Sequence, residues 1–271
     1  MNPMVGKELR QRMREKRGWV LPSVYLLVLG GVIALAYYFT VAQEQRYGRD
    51  IQGAEIGVTI FAVVTFTQLT LLLLLAPVFS AGAITIEKEQ RTLSGLLTSL
   101  LTIWQIWWGK FVSSLLFLML LALSALPVLS MSFAFGGIGP RQLLVAVVTT
   151  LIILAVVSAI GLYCSSFFKR SIHATAVTYG ILIALTVLTL VCYAIIQSYM
   201  ESKYGTAASP DNNHWLLAPL YLNPYFLVGM AFFSEKEWYP DWYISAGAFA
   251  LIGCLAILFA LRNLRKGGEQ V

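Results

Sequence analysis

The chain has 271 residues, of which 58% are hydrophobic and only 12% are charged, whereas a soluble globular domain carries about 25% charged residues. This composition excludes an ordinary soluble enzyme and predicts an integral membrane protein. The formal net charge of +6 does not indicate nucleic-acid binding, because the basic residues cluster at the ends of apolar runs, where membrane topology explains them.

The first 17 residues are polar and basic, with six Lys or Arg side chains. Val5, Leu9 and Met13 recur at a spacing of four and form one narrow apolar stripe. This pattern predicts an interfacial helix whose basic side chains face anionic headgroups. The alternative is a disordered basic tail that serves only as a topology signal.

Six apolar runs follow, each long enough to cross a bilayer, so the predicted fold class is an all-α integral membrane protein with six transmembrane helices. The second run would be about 46 Å long as a helix, against a hydrocarbon core of about 30 Å, and we expect Pro77 to kink it. The predicted spans are 19–41, 56–86, 111–135, 143–167, 174–199 and 242–261.

The connection between the second and third spans, residues 85–110, is much longer than a hairpin requires. Its first half is charged, with Glu87, Lys88, Glu89 and Arg91. Its second half is amphipathic and rich in Trp, and it ends in Lys110. A charged and amphipathic connection of this length predicts that a partner docks there.

The distribution of basic residues predicts the orientation. Fourteen of the 19 Lys and Arg residues lie in the N-terminal segment, the 85–110 connection, the 168–173 connection and the C-terminal tail, and five lie on the opposite side. Basic residues are retained on the cytoplasmic side, so both termini and the 85–110 connection are expected in the cytoplasm.

The external segment 200–240 contains an apolar and aromatic stretch, 214–233, that Pro219 and Pro224 interrupt. It predicts one or two short helices lying on or dipping into the outer leaflet. Such helices could form an aromatic belt that fixes tilt, or a cap over an exit path.

No predicted span carries a charged side chain near its middle, which disfavours an ion-coupled carrier. Gln68 is the clear intramembrane amide, and with Thr65 it is a candidate for a substrate path. The alternative for Gln68 is an interhelical hydrogen bond. The sequence has no phosphate-binding loop and no HExxH or GxSxG motif, so we expect no catalytic residues, and the isolated His and Cys residues predict no metal site.

The segment Glu87-Lys88-Glu89-Gln90-Arg91-Thr92-Leu93-Ser94-Gly95-Leu96-Leu97-Thr98-Ser99 matches the pattern E-[KR]-E-x-x-T-L-x-x-L-L-x-[ST]. With the basic N-terminal segment, the six spans and the external Leu222-Asn223-Pro224-Tyr225, it resembles the type-2 permease of ATP-binding-cassette (ABC) transporters over the whole chain. Two departures are Arg91, where the family often has Gly, and Leu100 or Leu101, where it often has Pro.

The resemblance implies a single non-catalytic permease domain, residues 1–271, in the inner membrane. It implies that the 85–110 segment is a coupling helix in a cleft of a separate ABC ATPase, with two ATPases and a second permease, identical or homologous, in each exporter. The partner would bind ATP and Mg²⁺, and this chain would need no cofactor. The expected coupling residues are Glu87, Glu89, Arg91, Leu93, Leu96, Leu97 and Leu100, because leucines at helical spacing can anchor a helix in a groove and charges can orient it at the rim.

Two other functions remain open at this point. The chain could be the permease of an accessory ABC system, for copper-enzyme maturation or sodium export. It could also be a membrane scaffold that holds a cytoplasmic partner and transports nothing.

Overall fold

The computed structural model describes Gly6 and residues 17–47, 53–91, 102–204, 214–230 and 239–268. In these residues the regular structure is helical, without a strand. Six helices among them are long and apolar enough to cross a membrane: Trp19–Thr40, Ile56–Glu89, Ile103–Ala134, Pro140–Phe167, Ser171–Lys203 and Trp242–Leu264. They are called spans 1 to 6 below. The predicted all-α, six-span fold is confirmed, and the chain is a multi-pass membrane protein.

Several spans consist of more than one helical element. The elements in chain order are Arg17–Tyr47, Gly53–Ser80, Gly82–Glu89, Ile103–Ser124, Leu126–Ser130, Met131–Ala134, Pro140–Phe167, Ser171–Ile183, Ala184–Leu188, Thr189–Tyr204, His214–Leu217, Leu220–Leu222, Pro224–Gly229 and Tyr239–Gly268. Met131–Ala134, His214–Leu217 and Leu220–Leu222 are 3₁₀ helices, and Ala184–Leu188 is a π-helix.

Span 4 is the central helix of the bundle. In its most apolar stretch of 18 residues, 56% of the residues are buried, against 11% in the corresponding stretches of spans 1 and 5. It packs against spans 2, 3, 5 and 6. Gly161 lets span 2 approach closely, because a Cβ at that position would lie 1.9 Å from the Ser80 Oγ. Trp242 at the start of span 6 donates from its Nε1 to the Thr149 Oγ1 of span 4 over 3.2 Å.

Span 2 is interrupted at Ala81, which separates Gly53–Ser80 from the short helix Gly82–Glu89. The expected kink residue, Pro77, lies inside the first helix, one turn before the interruption, and its carbonyl accepts from the Ala81 N–H over 2.9 Å. We call Gly82–Glu89 the junction helix. The end of the bundle where it lies is called the basic end, and the other end is called the opposite end.

Span 3 begins at Ile103, eight residues before the predicted start, so the Trp-rich half of the 85–110 connection belongs to the span itself. Thr102 caps the helix: its hydroxyl accepts from the Gln105 N–H, and the Gln105 side chain accepts from the Thr102 N–H. Thr-x-x-Gln is the sequence signature of such a capping box, and it marks the start that hydropathy alone misplaced.

At the opposite end, the sequence Gly-Gly-Ile-Gly-Pro, residues 136–140, forms the tight turn that joins spans 3 and 4. Gly136 and Gly137 have φ values of 84° and 81°, which L-residues with a side chain rarely adopt. Gly57, at the start of span 2, lies directly against this turn, because a Cβ there would lie 1.9 Å from the Gly136 carbonyl oxygen.

The segment that the sequence predicts to be external forms three short helices between residues 214 and 229, where one or two were predicted. Residues 214–230 are called the docked segment. They do not lie only at a lipid surface, because Leu216, Leu220, Leu227 and Val228 are buried within the protein. The segment packs against spans 2, 4, 5 and 6.

Other predictions fall on residues that the structure does not describe. The predicted N-terminal interfacial helix lies outside the described residues except for Gly6 and Arg17, and so do residues 92–101, the leucine-rich half of the predicted coupling helix.

Candidate functional site

The charged run of the junction helix forms the candidate site. Glu87 pairs with Lys110 near the start of span 3, with 2.7 Å between the Glu87 Oε1 and the Lys110 Nζ. The Lys110 side chain is only 4% exposed and that of Glu87 is 21% exposed. A buried charge without a partner is costly, so this pair holds the junction helix against span 3.

Lys88 contacts the last turn of span 4. Its Nζ donates to the carbonyl oxygens of Ser165, Ser166 and Phe168 over 2.5–3.0 Å. An ammonium group has three donors, and all three are used here. The carbonyls at a helix C-terminus lack helical partners and carry a partial negative charge, so a Lys side chain is well matched to them.

Glu89 contacts the first turn of span 5. Its Oε1 accepts from the Ser171 backbone N–H over 2.6 Å. The residue that precedes this helix, Arg170, provides no side-chain cap. A carboxylate suits the partial positive charge of a helix N-terminus, so Glu89 caps span 5 from a different part of the chain.

Two serines and a threonine complete these contacts. The Ser165 Oγ of span 4 accepts from the backbone N–H groups of Ile84 and Thr85 over 2.9 and 3.0 Å. The hydroxyls of Thr85 and Ser171 lie 2.9 Å apart. The junction helix begins without a side-chain cap of its own, and Ser165 satisfies its first turn instead. Sequence reasoning missed Ser165 and Ser171; their signal is the small polar residues at the adjacent ends of two apolar runs.

Together these residues form what we call the charged cluster: Glu87, Lys88 and Glu89 with their partners on spans 3, 4 and 5. Each of the three consecutive charges holds a different span. The signs of two of these charges match the helix dipoles, because Lys88 lies at the C-terminus of span 4 and Glu89 lies at the N-terminus of span 5. The junction helix is therefore connected to the basic ends of three other spans.

Arg91 ends the junction helix in a left-handed conformation, with φ of 57°. Its N–H donates to the Lys88 carbonyl over 3.2 Å. The side chain is exposed, and the next described residue is Thr102. Of the predicted coupling residues, the structure thus places Glu87, Glu89 and Arg91 on one short helix end, while Leu93, Leu96, Leu97 and Leu100 lie in 92–101, outside the described residues.

The aromatic side chains at the start of span 3 pack on one another beside this cluster. Trp107 is fully buried and stacks on Phe111, with 5.1 Å between ring centroids. Trp104 and Trp108 are about half exposed and stack at 5.7 Å. Half-exposed Trp rings beside charged residues are typical of a membrane–water boundary, and they place the basic end at such a boundary.

Gln68 and Thr65, the predicted substrate-path residues, are buried in span 2. The Gln68 Nε2 donates to the Ala122 carbonyl of span 3 over 3.2 Å, which is the interhelical bond considered above as the alternative. Among the described residues, the Gln68 Oε1 and the Thr65 Oγ1 have no hydrogen-bond partner.

In the described part of the chain, no group of three His, Cys, Asp or Glu side chains is placed to hold a metal ion. Cys164, Cys192 and Cys254 are free thiols there.

A comparison with known families finds a match along most of the chain. The family model described as ABC-2 family transporter protein matches residues 3–262 of this chain. No curated protein matches it.

Proposed function

Because this chain belongs to the ABC-2 family of transporter proteins, we propose that it is the membrane-spanning subunit of an ATP-driven exporter. It forms the substrate path together with a second permease chain, identical or homologous. A separate ABC ATPase, in two copies, binds ATP and Mg²⁺ and hydrolyses the nucleotide. Permeases of this family are transport components and are generally not catalytic, which agrees with the absence of a phosphate-binding loop from the sequence.

The charged cluster is the observation that supports coupling. Residues 92–101 connect the junction helix to the start of span 3, and these two flanks are joined by the Glu87–Lys110 pair. Lys88 and Glu89 extend the connection to spans 4 and 5. Movement of an ATPase bound to 92–101 would therefore reach three spans at once, which is what rigid-body rocking of a permease requires.

We assign two tasks within the proposed coupling segment. Leu93, Leu96, Leu97 and Leu100 anchor it in a groove of the ATPase, as apolar residues at helical spacing do. Glu87 and Glu89 hold the segment to its own bundle, since both have partners there. Arg91 is exposed at the boundary and is available to orient the partner.

The distribution of basic residues supports an inner-membrane orientation with the basic end and both termini in the cytoplasm, where the ATPase is. The substrate path is proposed between the two permeases. Gln68 and Thr65 are the first residues to test for an effect on transport, because each has a buried oxygen without a partner among the described residues.

The proposal is tested by co-expressing the chain with the ATPase encoded beside it and measuring co-purification and vanadate-sensitive ATP hydrolysis in lipid nanodiscs. We expect that Leu96→Ala with Leu97→Ala reduces co-purification at least tenfold, because buried interface anchors contribute about 2 kcal/mol or more each. We expect that Lys88→Met and Glu89→Gln preserve co-purification but reduce the stimulation of hydrolysis by the permease, because the docked ATPase is then less firmly connected to spans 4 and 5.

Matched controls are Lys169→Met, an exposed basic residue at the same end, and Glu201→Gln, an exposed acidic residue of span 5. Both should behave like the parent, and the chain without its ATPase should hydrolyse no ATP. Unchanged co-purification after the leucine replacements would remove 92–101 from the interface. A stable complex in which the permease never alters hydrolysis would favour the scaffold function.

A further inference from the structure

Asn223, in the docked segment, uses every hydrogen-bonding position of its side chain. Its Oδ1 accepts from the N–H groups of Tyr225 and Phe226 over 2.8 and 3.3 Å and so caps the helix Pro224–Gly229. Its Nδ2 donates to the Thr186 carbonyl and to the Thr189 Oγ1 of span 5 over 2.9 and 2.8 Å. Asn223 is fully buried. The Asn223 amide therefore caps a helix of the docked segment and also binds that segment to span 5.

The contact lies where span 5 changes from a π-helix back to an α-helix. Thr186 belongs to the π-helix Ala184–Leu188, and Thr189 begins the next α-helix. A π-helical turn inside an α-helix is uncommon and frequently occurs at functional positions. Beyond Thr189, residues 190–203 include no buried side chain. Span 5 is thus held at its basic end by the charged cluster and, in its far half, by Asn223.

The docked segment also forms hydrogen bonds to other spans. The Tyr225 hydroxyl lies 2.9 Å from the Thr70 Oγ1 of span 2, and the Ser245 Oγ of span 6 donates to the Tyr221 carbonyl over 2.7 Å. Loss of the two Asn223 Nδ2 bonds would therefore remove these hydrogen bonds to span 5 and leave those to spans 2 and 6 in place.

We propose that Asn223 is the latch of a gate in the half of the bundle away from the basic end, and that the transport cycle opens this gate by separating Asn223 from Thr186 and Thr189. The inference rests on the proposed transport function. Span 5 is the moving part, because it joins the two sites: Glu89 contacts its first turn, and Asn223 contacts Thr186 in the π-helix and Thr189 directly after it. Closure of the ATPases would displace the first turn of span 5 through the charged cluster and strain the hydrogen bonds of Asn223 near the middle of that span.

Hydrogen–deuterium exchange of the complete complex in nanodiscs tests the proposal, read from peptides that cover 190–204 and 214–230. The matched pair is Thr189→Val, which removes the hydroxyl acceptor at constant shape, and Thr189→Ser, which keeps it. We expect exchange in both peptides to rise about five- to tenfold in the valine variant, as for the loss of one buried hydrogen bond, and to stay at the parent rate in the serine variant. Asn223→Ala should have the larger effect, and a peptide from the centre of span 4 should not change.

The second arm compares the resting complex with the vanadate-trapped complex of the parent chain. We expect faster exchange in 190–204 and 214–230 after trapping. Exchange at the parent rate in both Thr189→Val and Asn223→Ala would show that Asn223 does not hold span 5 and would overturn the latch. Equal exchange in the resting and trapped states, with vanadate-sensitive hydrolysis present, would make Asn223 a permanent contact and would also overturn it. If the chain forms no complex with an ATPase, the proposed function fails, and the role of Asn223 in a transport cycle fails with it.

Discussion

Arg91 is a long-chain residue in a backbone conformation that favours glycine. It follows the C-cap residue Gln90, and its φ of 57° ends the junction helix. The left-handed conformation costs an L-residue with a side chain about 1 kcal/mol or more relative to glycine, and glycine is the commonest residue at this position of a helix end. The sequence departs here from the family pattern, which often has Gly.

We predict that Arg91→Gly stabilises the chain by up to about 1 kcal/mol, because relief of the left-handed strain exceeds the added freedom of the unfolded backbone. Thermal unfolding in detergent should show a small rise in Tm. The control is Gln90→Gly: Gln90 has an ordinary helical φ of −79°, so glycine there should lower the Tm. A decrease of the same size in both variants would show that Arg91 is not strained.

The charged cluster also shows what a sequence reveals about individual residues and what it does not. Glu87, Lys88 and Glu89 are recognisable as functional candidates because charges are unusual in a chain with this composition. Their partners are not recognisable, because Ser165 and Ser171 are about 80 residues away in the sequence and come close only through packing of the spans. Serines and the free carbonyls of a helix end carry no sequence pattern that identifies their partner.

At the scale of elements, hydropathy located all six spans, because about 20 apolar residues in succession have few alternatives to a membrane helix. It placed the start of span 3 too late, since Trp104 and Gln105 look like a connection although Thr102 and Gln105 form a capping box. It also could not show that the docked segment is buried. The apolar sequence of 214–230 suits a lipid surface and a protein interior equally well, and only contacts such as Asn223 with Thr186 distinguish them.

The packing of span 2 against the turn between spans 3 and 4 gives an element-scale prediction. A methyl group on Gly57 would lie 1.9 Å from a backbone oxygen that the Gly136–Gly137 turn holds in place. We expect Gly57→Ala to destabilise the chain by about 1–3 kcal/mol, the usual cost of overpacking.

The matched control is Gly180→Ala in span 5, where no atom lies within 4 Å of the added methyl group. This variant should be neutral or slightly stabilising, since alanine is the better helix former. Thermal unfolding of both variants in one detergent would test the difference, and equal melting temperatures would show that span 2 can move away from the turn without cost.

For the whole molecule, the predicted orientation is tested by labelling. In a background without the native cysteines, Ser202→Cys should react with an impermeant thiol reagent added to intact cells, and Ser94→Cys should react only after the membrane is opened. The reason is the excess of basic residues on the side that carries 85–110. The reverse pattern, with position 94 labelled from outside and position 202 protected, would invert the protein in the membrane.

The central position of span 4 also constrains the order in which the spans can pack during synthesis. A ribosome delivers spans 1, 2 and 3 before residues 140–167 exist, yet span 4 provides the surface that covers much of spans 2 and 3. Ser80 meets Gly161, and Ile84 meets Ser165, only after the fourth helix has entered the bilayer. Until then, the Ile84 and Thr85 N–H groups of span 2 lack their Ser165 partner, and the surfaces of spans 2 and 3 that span 4 later covers face lipid or insertion factors.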